Sequence, residues 1–347
     1  MDVNNMIKEI SNIFKCSCGG SFKQTNKEYI CSLCGNKVKS FDDVLFFLRD
    51  DTYYDYLYQY KHSVILPQLE YLQSIVQDNA VAEVHIERLQ KILFEINQYA
   101  AVTNKHCYKK NINTDYAQEM NNDNYIVSSY SPYINNYFSF SESHYSTLLR
   151  MVGHLQSNSI VLDVGCGVGR VLKDISESNP NCVAVGCDIQ LTKLHLTNRI
   201  LCTDDNVKYI SIQNFKYEPK ILKGFNYTNT SVFYSDLNEE LPISNNTIDV
   251  VILSFILGLL DDYKKSLINV VRLIKKDGYL LIADDYGWHS NIRPSTRIVT
   301  PGQVEEILCN NGFEKVSEIE VPYLGVLTDR VANAHIIRLT KYKKNRI

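Results

Sequence analysis

The sequence predicts an α/β protein: a doubly wound, mostly parallel sheet preceded by a small cysteine-bearing ribbon and a helical segment. Three observations carry this. From Ser159 onward, short β-branched runs alternate with helical stretches: SIVLDV, a helix, CVAVGCD, a helix, SVFYSD, then TIDVVILS, a helix, GYLLIAD. That alternation is the pattern of βαβ units, whose crossovers place helices on both faces of a parallel sheet. Near the N-terminus, four cysteines stand in two close pairs. Between these regions, Leu89, Ile92, Leu93 and Ile96 recur at helical spacing, with polar residues between them.

Composition sets the outer bounds. The chain has 347 residues, enough for more than one domain and a sizeable core. Hydrophobic residues are 45% and charged residues 22%, as in ordinary globular proteins. A net charge of −3 provides no global field toward nucleic acid or an anionic membrane. The basic tail Lys341–Arg346 reads as a solvated end. The longest apolar run, Val250 to Leu260, is about half of a membrane span, and MDVNNMIKEI lacks the plan of a signal peptide. The expected compartment is therefore a reducing cytoplasm.

The first element is the cysteine ribbon. Cys16 and Cys18 are separated by twelve residues from Cys31 and Cys34, and Gly19 and Gly35 each follow a pair. Two close pairs flanking a hairpin-sized segment bring four thiolates to one tetrahedral metal, and a glycine after each pair lets the chain turn tightly. The spacing predicts a zinc ribbon over residues 1–45. A site with four protein ligands leaves zinc no open position, so the metal is expected to be structural. Two disulfides would suit an oxidising compartment better than this one. An Fe–S cluster would need redox work that nothing else here suggests.

Residues 46–140 are expected to form a helical cap or substrate segment. A tyrosine-rich stretch runs to Tyr60, and two helices follow over 63–100, split near Asp78-Asn79. Residues 102–124 are polar and read as a linker. Tyr130, Tyr133 and Tyr137 precede a helix from about Ser141 to Leu155. Residues 141–347 make the third unit. Within it, Thr203–Thr228 is longer than most connections and predicts an inserted flap or hairpin. The closing runs Phe313–Val321 and Ala334–Thr340 suit an antiparallel pair on one sheet edge.

The first strand of this unit runs into Gly165-Cys166-Gly167-Val168-Gly169, a turn placed where a doubly wound sheet holds its ligand. Arg170 stands where a pyrophosphate loop of the G-x-G-x-x-G type would carry its last glycine. Asp163, two residues before the loop, would repel a pyrophosphate and attract an ammonium group. Asp188 ends the second strand, where an acid accepts both ribose hydroxyls. Asp236 ends the third, within reach of an adenine amino group. Three acids at three strand ends suit a cationic nucleoside such as S-adenosylmethionine.

From Val161 to Asp285 the chain resembles a class I S-adenosylmethionine-dependent methyltransferase with a Rossmann-like fold. VLDVGCGVGR resembles the family's first motif and VGCDIQ its ribose-binding acid. YSDLNEELPISNNTIDVVILS resembles its adenine-side acid and fourth strand. VVRLIKKDGYLLIADD resembles the helix, turn and fifth strand. The resemblance implies cofactor binding by Asp163, Gly165, Cys166, Gly167, Gly169, Asp188, Ile189, Asp236, Leu237 and Ser254. The ribbon resembles the zinc modules that precede some enzymes of this class.

Methyl transfer from a sulfonium is mostly positioning, so the acceptor leaves a faint mark. The Asn/Asp-Pro-Pro-aromatic motif of base-methylating enzymes is absent after the fourth strand, as is a Pro-Cys nucleophile. That favours a small molecule or a short peptide; the leading expectation is methylation at nitrogen. After the fifth strand, Asp285, Tyr286 and His289 are the candidate catalytic residues, with His289 as base. Asp-Tyr-Gly-Trp and EVPYLGVLTDRVANAHIIRLTK resemble methyltransferases acting on mercaptohistidine in ovothiol formation. This implies an amino-acid-like or peptide-like substrate, with Trp288 walling the pocket and Arg330 pairing with a substrate carboxylate. Separately, the segment before the first strand often covers the cofactor in this fold, which makes Tyr133 a further candidate. Three alternatives stay open. One is an RNA methyltransferase whose ribbon binds RNA through Lys15, Phe22, Lys23, Lys27, Lys37 and Lys39. Another is a scaffold without turnover. The last is a peptide-tailoring protein whose helical segment grips a carrier or partner protein.

Overall fold

The computed structural model describes residues 13–25, 28–48, 50–75, 80–99, 119–130, 143–213, 216–286, 299–327 and 330–345. The strands are β1 (Phe22–Thr25), β2 (Glu28–Cys31), β3 (Lys39–Phe41), β4 (Val44–Phe46), β5 (Ile160–Val164), β6 (Val183–Asp188), β7 (Asn206–Gln213), β8 (Lys216–Lys223), β9 (Thr230–Tyr234), β10 (Ile248–Ser254), β11 (Ile274–Asp284), β12 (Phe313–Leu327) and β13 (Arg330–Lys344). The helices are α1 (Asp50–Tyr60), α2 (Leu66–Ser74), α3 (Ala80–Tyr99), α4 (Glu119–Tyr130), α5 (His144–Val152), α6 (Arg170–Ser178), α7 (Leu191–Leu201), α8 (Tyr263–Val271) and α9 (Pro301–Asn310).

Nine strands form the central sheet in the order β12-β13-β11-β10-β5-β6-β9-β4-β3. β4, β9, β6, β5, β10 and β11 pair in parallel, while β13 runs antiparallel to both β11 and β12. This is the Rossmann-like, doubly wound architecture the strand–helix alternation predicts. β5 shows why it holds: all five of its residues are buried, as a central parallel strand requires. Val161 faces one core layer, and Ile160, Leu162 and Val164 face the other. Helices α6 and α8 bury their apolar stripes (Val171, Leu172, Ile175; Leu267, Val270, Val271) against the two faces.

The N-terminal segment joins this sheet. The β3–β4 hairpin adds an edge through β4 and β9, with Leu45 opposite Phe233 and Phe46 opposite Tyr234. Upstream, the Lys15 N–H donates to Pro242 O and the Ser244 N–H to Ile13 O. Phe14 stacks on Phe47, with ring centroids 4.0 Å apart, and meets Phe233 edge-on. The ribbon therefore shares both backbone hydrogen bonds and core with the strands that build the site.

The tyrosine-rich stretch, given no element of its own by the sequence, is regular structure. It is helix α1, with Tyr53, Tyr56, Leu57 and Tyr60 buried at i, i+3, i+4 and i+7. A π-helical segment, Lys61–Ile65, carries it into α2. Residues 119–124, placed in a linker by their polarity, begin helix α4. The insertion is a hairpin, β7–β8, paired from Asn206 opposite Lys223 to Gln213 opposite Lys216. Asp123 of α4 pins it by accepting from the Ile210 N–H at 3.0 Å. The same buried carboxylate binds His85 Nε2 and Arg88 of α3, both at 2.6 Å. Among the described residues no helix is long and apolar enough to cross a membrane.

Candidate functional site

The carboxyl ends of β5, β6, β9 and β10 open onto a cavity of about 600 Å³. The glycine loop forms its floor. Gly165, Gly167 and Gly169 all have positive φ, at 77°, 55° and 80°. The loop is tied to β6, since the Gly165 and Cys166 N–H groups both donate to Cys187 O. Two of the glycines differ in their surroundings. A Cβ on Gly169 would lie 2.6 Å from Thr197 Cγ2, whereas one on Gly167 would meet nothing within 4 Å. Gly169 lets α7 approach the loop, and Gly167 keeps space open on the cavity side.

The three predicted acids all line this cavity. Asp163 is 2% exposed, and its Oδ1 has no hydrogen-bond partner among the described residues. Burial, reinforced by the nearby charge of Asp188, pushes its carboxyl up to about 7. A buried carboxyl with an unused oxygen is poised for a cation or donor to complete it. Asp188 Oδ2 accepts from the Gly167 N–H at 3.0 Å, and its Oδ1 from the Gln190 N–H at 2.8 Å. It thus orients the loop as well as facing the cavity. Asp236 Oδ1 accepts from the Asn238 backbone and side-chain amides at 2.9 and 3.0 Å, fixing the turn after β9.

Ile189, Leu237 and Ser254 also line the wall. Ile189 is 43% exposed, an apolar surface beside Asp188 available to a planar base, while Leu237 is buried beneath. Cys166 lines the cavity, but its sulfur packs on Gly186, where a Cβ would lie 2.9 Å away. Burial raises that thiol well above its ordinary range, so it is packing rather than a thiolate.

Of the expected catalytic residues, the structure describes Asp285 and Tyr286. Asp285 and Tyr286 do not line the cavity. The Tyr286 ring packs on the core layer of Ile160, Leu162 and Val164, and its N–H donates to Asp284 Oδ1 at 2.8 Å. Asp284, not singled out by sequence, is the buried acid at this strand end. Burial lifts its carboxyl to about 6 despite backbone donors, among them the Leu257 N–H. Tyr133, Trp288 and His289 lie outside the described residues. Arg330 opens β13, and its side chain lies outside the description.

Side chains from helices outside the glycine loop also reach the cavity. Tyr56 of α1, Tyr125 and Ser129 of α4, and Tyr145 of α5 line it, together with Arg170 and Lys193. Sequence reasoning missed Tyr56, Tyr125, Ser129 and Tyr145. Their signal was limited to tyrosines on helices, and only the overlay of α1, α4 and α5 on the sheet gathers them. Tyr130 sits behind the loop, donating to Val168 O at 2.7 Å.

In the ribbon, Gly19 and Gly35 adopt φ of 89° and 73° after their cysteine pairs. Cys16 and Cys34 sulfurs are 3.6 Å apart and Cys18 and Cys31 sulfurs 3.4 Å apart, with all four within 4.8 Å of one another. Sulfurs on a tetrahedral zinc with bonds near 2.3 Å stand roughly 3.8 Å apart, so the donor set fits that ion. Phe22, expected at an RNA-stacking face, is 6% exposed and belongs to the core. Lys37 is paired with Glu28 at 2.7 Å.

Residues 162–280 match the profile of a family described as "Methyltransferase domain". That span runs from β5 into β11 and holds the loop and all three acids. No protein of curated function matches the chain in sequence. Among solved structures, a SAM-dependent methyltransferase from Aquifex aeolicus is 19% identical, the match covering 59% of this chain and 91% of that one at a TM-score of 0.40. The YcgJ protein of Bacillus subtilis is 14% identical, covering 59% and 99% at a TM-score of 0.41. An S-adenosylmethionine-dependent methyltransferase from Mesorhizobium loti is 14% identical, covering 58% and 98% at 0.40.

Proposed function

We propose that this methyltransferase domain uses S-adenosylmethionine to methylate a small molecule or peptide, at nitrogen, in the capped cavity. The observation that carries the reading is Asp163. It is a buried carboxyl with an unused oxygen, beside a loop whose middle glycine faces open space. A phosphate-bearing dinucleotide would be repelled there, while a ligand ending in an ammonium group completes it. Asp188 would hold the ribose hydroxyls, Ile189 the base and Asp236 its amino group. When bound, this cofactor supplies an electrophilic methyl group. The chain's task is to orient the acceptor in line with it and to exclude water. Tyr56, Tyr125 and Tyr145 form a roof suited to that, over a volume in the range of small-molecule sites.

The acceptor is amino-acid-like or peptide-like on this reading, with Arg330, Tyr133 and Trp288 on the substrate side and His289 as the base. Asp285 and Tyr286, which precede His289 in the sequence, are its proposed catalytic companions. The four cysteines hold a structural zinc that fastens the ribbon to the sheet edge. The burial of Phe22 favours this fastening over an RNA-binding face.

Calorimetric titration of S-adenosylmethionine and S-adenosylhomocysteine into zinc-replete protein tests the proposal, with Asp188→Ala alongside. Micromolar binding, weakened about tenfold or more in the variant, is expected, since charged hydrogen bonds contribute about 1.5–3 kcal/mol each. Mass spectrometry of amino acids and short peptides incubated with protein and cofactor then reads the methyl acceptor. Folded, zinc-loaded protein that binds neither nucleoside would overturn the reading.

A further inference from the structure

The cavity wall carries a charge that the cofactor assignment leaves unused. Lys193, in the first turn of α7, is 7% exposed and lines the cavity. Its ammonium lies 4.0 Å from the centroid of the Tyr125 ring. No carboxylate among the described residues pairs with it, although four acids line the same cavity: Asp163, Asp188, Asp236 and Asp261. The other lining cation is committed. Arg170 Nε donates to Asp174 at 2.8 Å, its Nη1 donates to Ser129 O, and its guanidinium lies over Tyr145.

The Lys193 ammonium thus faces the cavity with no paired carboxylate, and the Tyr125 ring offsets only part of a missing counter-ion. The position is also specific. Thr197, one turn along the same face of α7, donates to Gly167 O at 2.6 Å. The face that carries Lys193 is therefore the one turned to the glycine loop. A ligand lying on that loop passes within reach of one unpaired cation roofed by one tyrosine.

We propose that Lys193 and Tyr125 form a carboxylate-binding subsite of this cavity. It rests on the cofactor reading in one respect: the carboxylate belongs either to the amino-acid end of the methyl donor or to an acidic acceptor beside it. Both sources present the same group, and Lys193 recognises it by charge while the Tyr125 face screens it from water.

The test is calorimetry on the full-length protein and on Lys193→Met, which keeps the stem and removes the charge, with Lys193→Arg as the charge-retaining control. Three probes are used. S-adenosylhomocysteine carries the amino-acid carboxylate. Methylthioadenosine is the same nucleoside without it. Malonate serves as a free carboxylate, titrated with and without saturating S-adenosylhomocysteine. If the donor's carboxylate is bound, Lys193→Met loses about tenfold or more in S-adenosylhomocysteine affinity. Methylthioadenosine affinity stays unchanged, and Lys193→Arg recovers most of the loss. If the acceptor's carboxylate is bound, both nucleosides bind the variant normally. Malonate then binds the wild-type protein and not the variant. Equal affinities for all three probes in the wild-type protein and Lys193→Met overturn the subsite. Should neither nucleoside bind the wild-type protein, the methyl-donor reading fails separately, and the malonate titration alone decides on Lys193.

Discussion

Two glycines two residues apart should fail in opposite ways when each becomes alanine. At Gly167, φ is 55° and an added Cβ meets no atom within 4 Å. The substitution therefore costs only the left-handed backbone penalty, roughly 1–2 kcal/mol. At Gly169, φ is 80° and the Cβ would lie 2.6 Å from Thr197 Cγ2 and 2.7 Å from Leu201 Cδ1. Neither neighbour yields easily. Leu201 is fully buried, and the Thr197 hydroxyl donates to both Gly167 O and Lys193 O. Overpacking adds about 1–3 kcal/mol to the backbone term, for a total of roughly 2–5 kcal/mol. Binding should reverse this order. The methyl on Gly167 occupies the space through which a nucleoside would run, so S-adenosylhomocysteine affinity should fall at least about tenfold, or about 1.4 kcal/mol. Thermal melts and calorimetry on the two variants make the comparison. A Gly167→Ala protein that binds as tightly as wild type would refute the placement of the ligand on this loop.

Other outcomes follow from the same geometry. With its carboxyl raised to about 7, Asp163 is protonated more readily in the folded protein than in the unfolded chain. Its contribution to the free fold is therefore fully present below about pH 4 and is lost as pH rises through about 7. Ammonium binding needs the ionised form, so S-adenosylhomocysteine affinity should climb up to tenfold per unit below about pH 7 and level off above it. Asp163→Asn should flatten that profile; an unchanged profile in the variant would assign the titration elsewhere. Metal analysis of reduced protein should return one zinc per chain. Stripping it, or Cys34→Ser, should lower the melting temperature and speed hydrogen exchange in β4 and β9; unaltered exchange there would argue against a fastening role. Asp123→Ala leaves buried Arg88 and His85 without their shared carboxylate. A loss of about 3–5 kcal/mol is expected in denaturant unfolding, and a loss below about 1 kcal/mol would show that water replaces the carboxylate.

What the sequence made legible divides along a physical line. β5, β6 and β10 announce themselves because a central parallel strand must be apolar on both faces, and local composition records that. Asp163, Asp188 and Asp236 were legible for the same reason: each interrupts or ends such a run, so its place at a strand's carboxyl end is fixed by its neighbours in the chain. Tyr53, Tyr56 and Tyr60 had helical spacing, but the polar residues between them obscured a helix whose apolar face is made of rings. The β4–β9 pairing was hidden more deeply. Val44-Leu45-Phe46 looks like an apolar run, and its parallel partner lies almost 190 residues downstream, a separation no local pattern encodes. Helix α7 shows why the carboxylate subsite went unseen. Thr192, Lys193, His195, Thr197 and Asn198 are all buried, so the helix has no polar face turned to water, and its sequence shows only polar residues scattered among leucines. A buried helix carrying that many polar groups must satisfy them from the elements packed around it. Thr197 does so at the glycine loop, and Asn198 at Asp42 O of the ribbon hairpin. Of these three, Lys193 is the one that lines the cavity, where the carboxylate of a ligand would reach it.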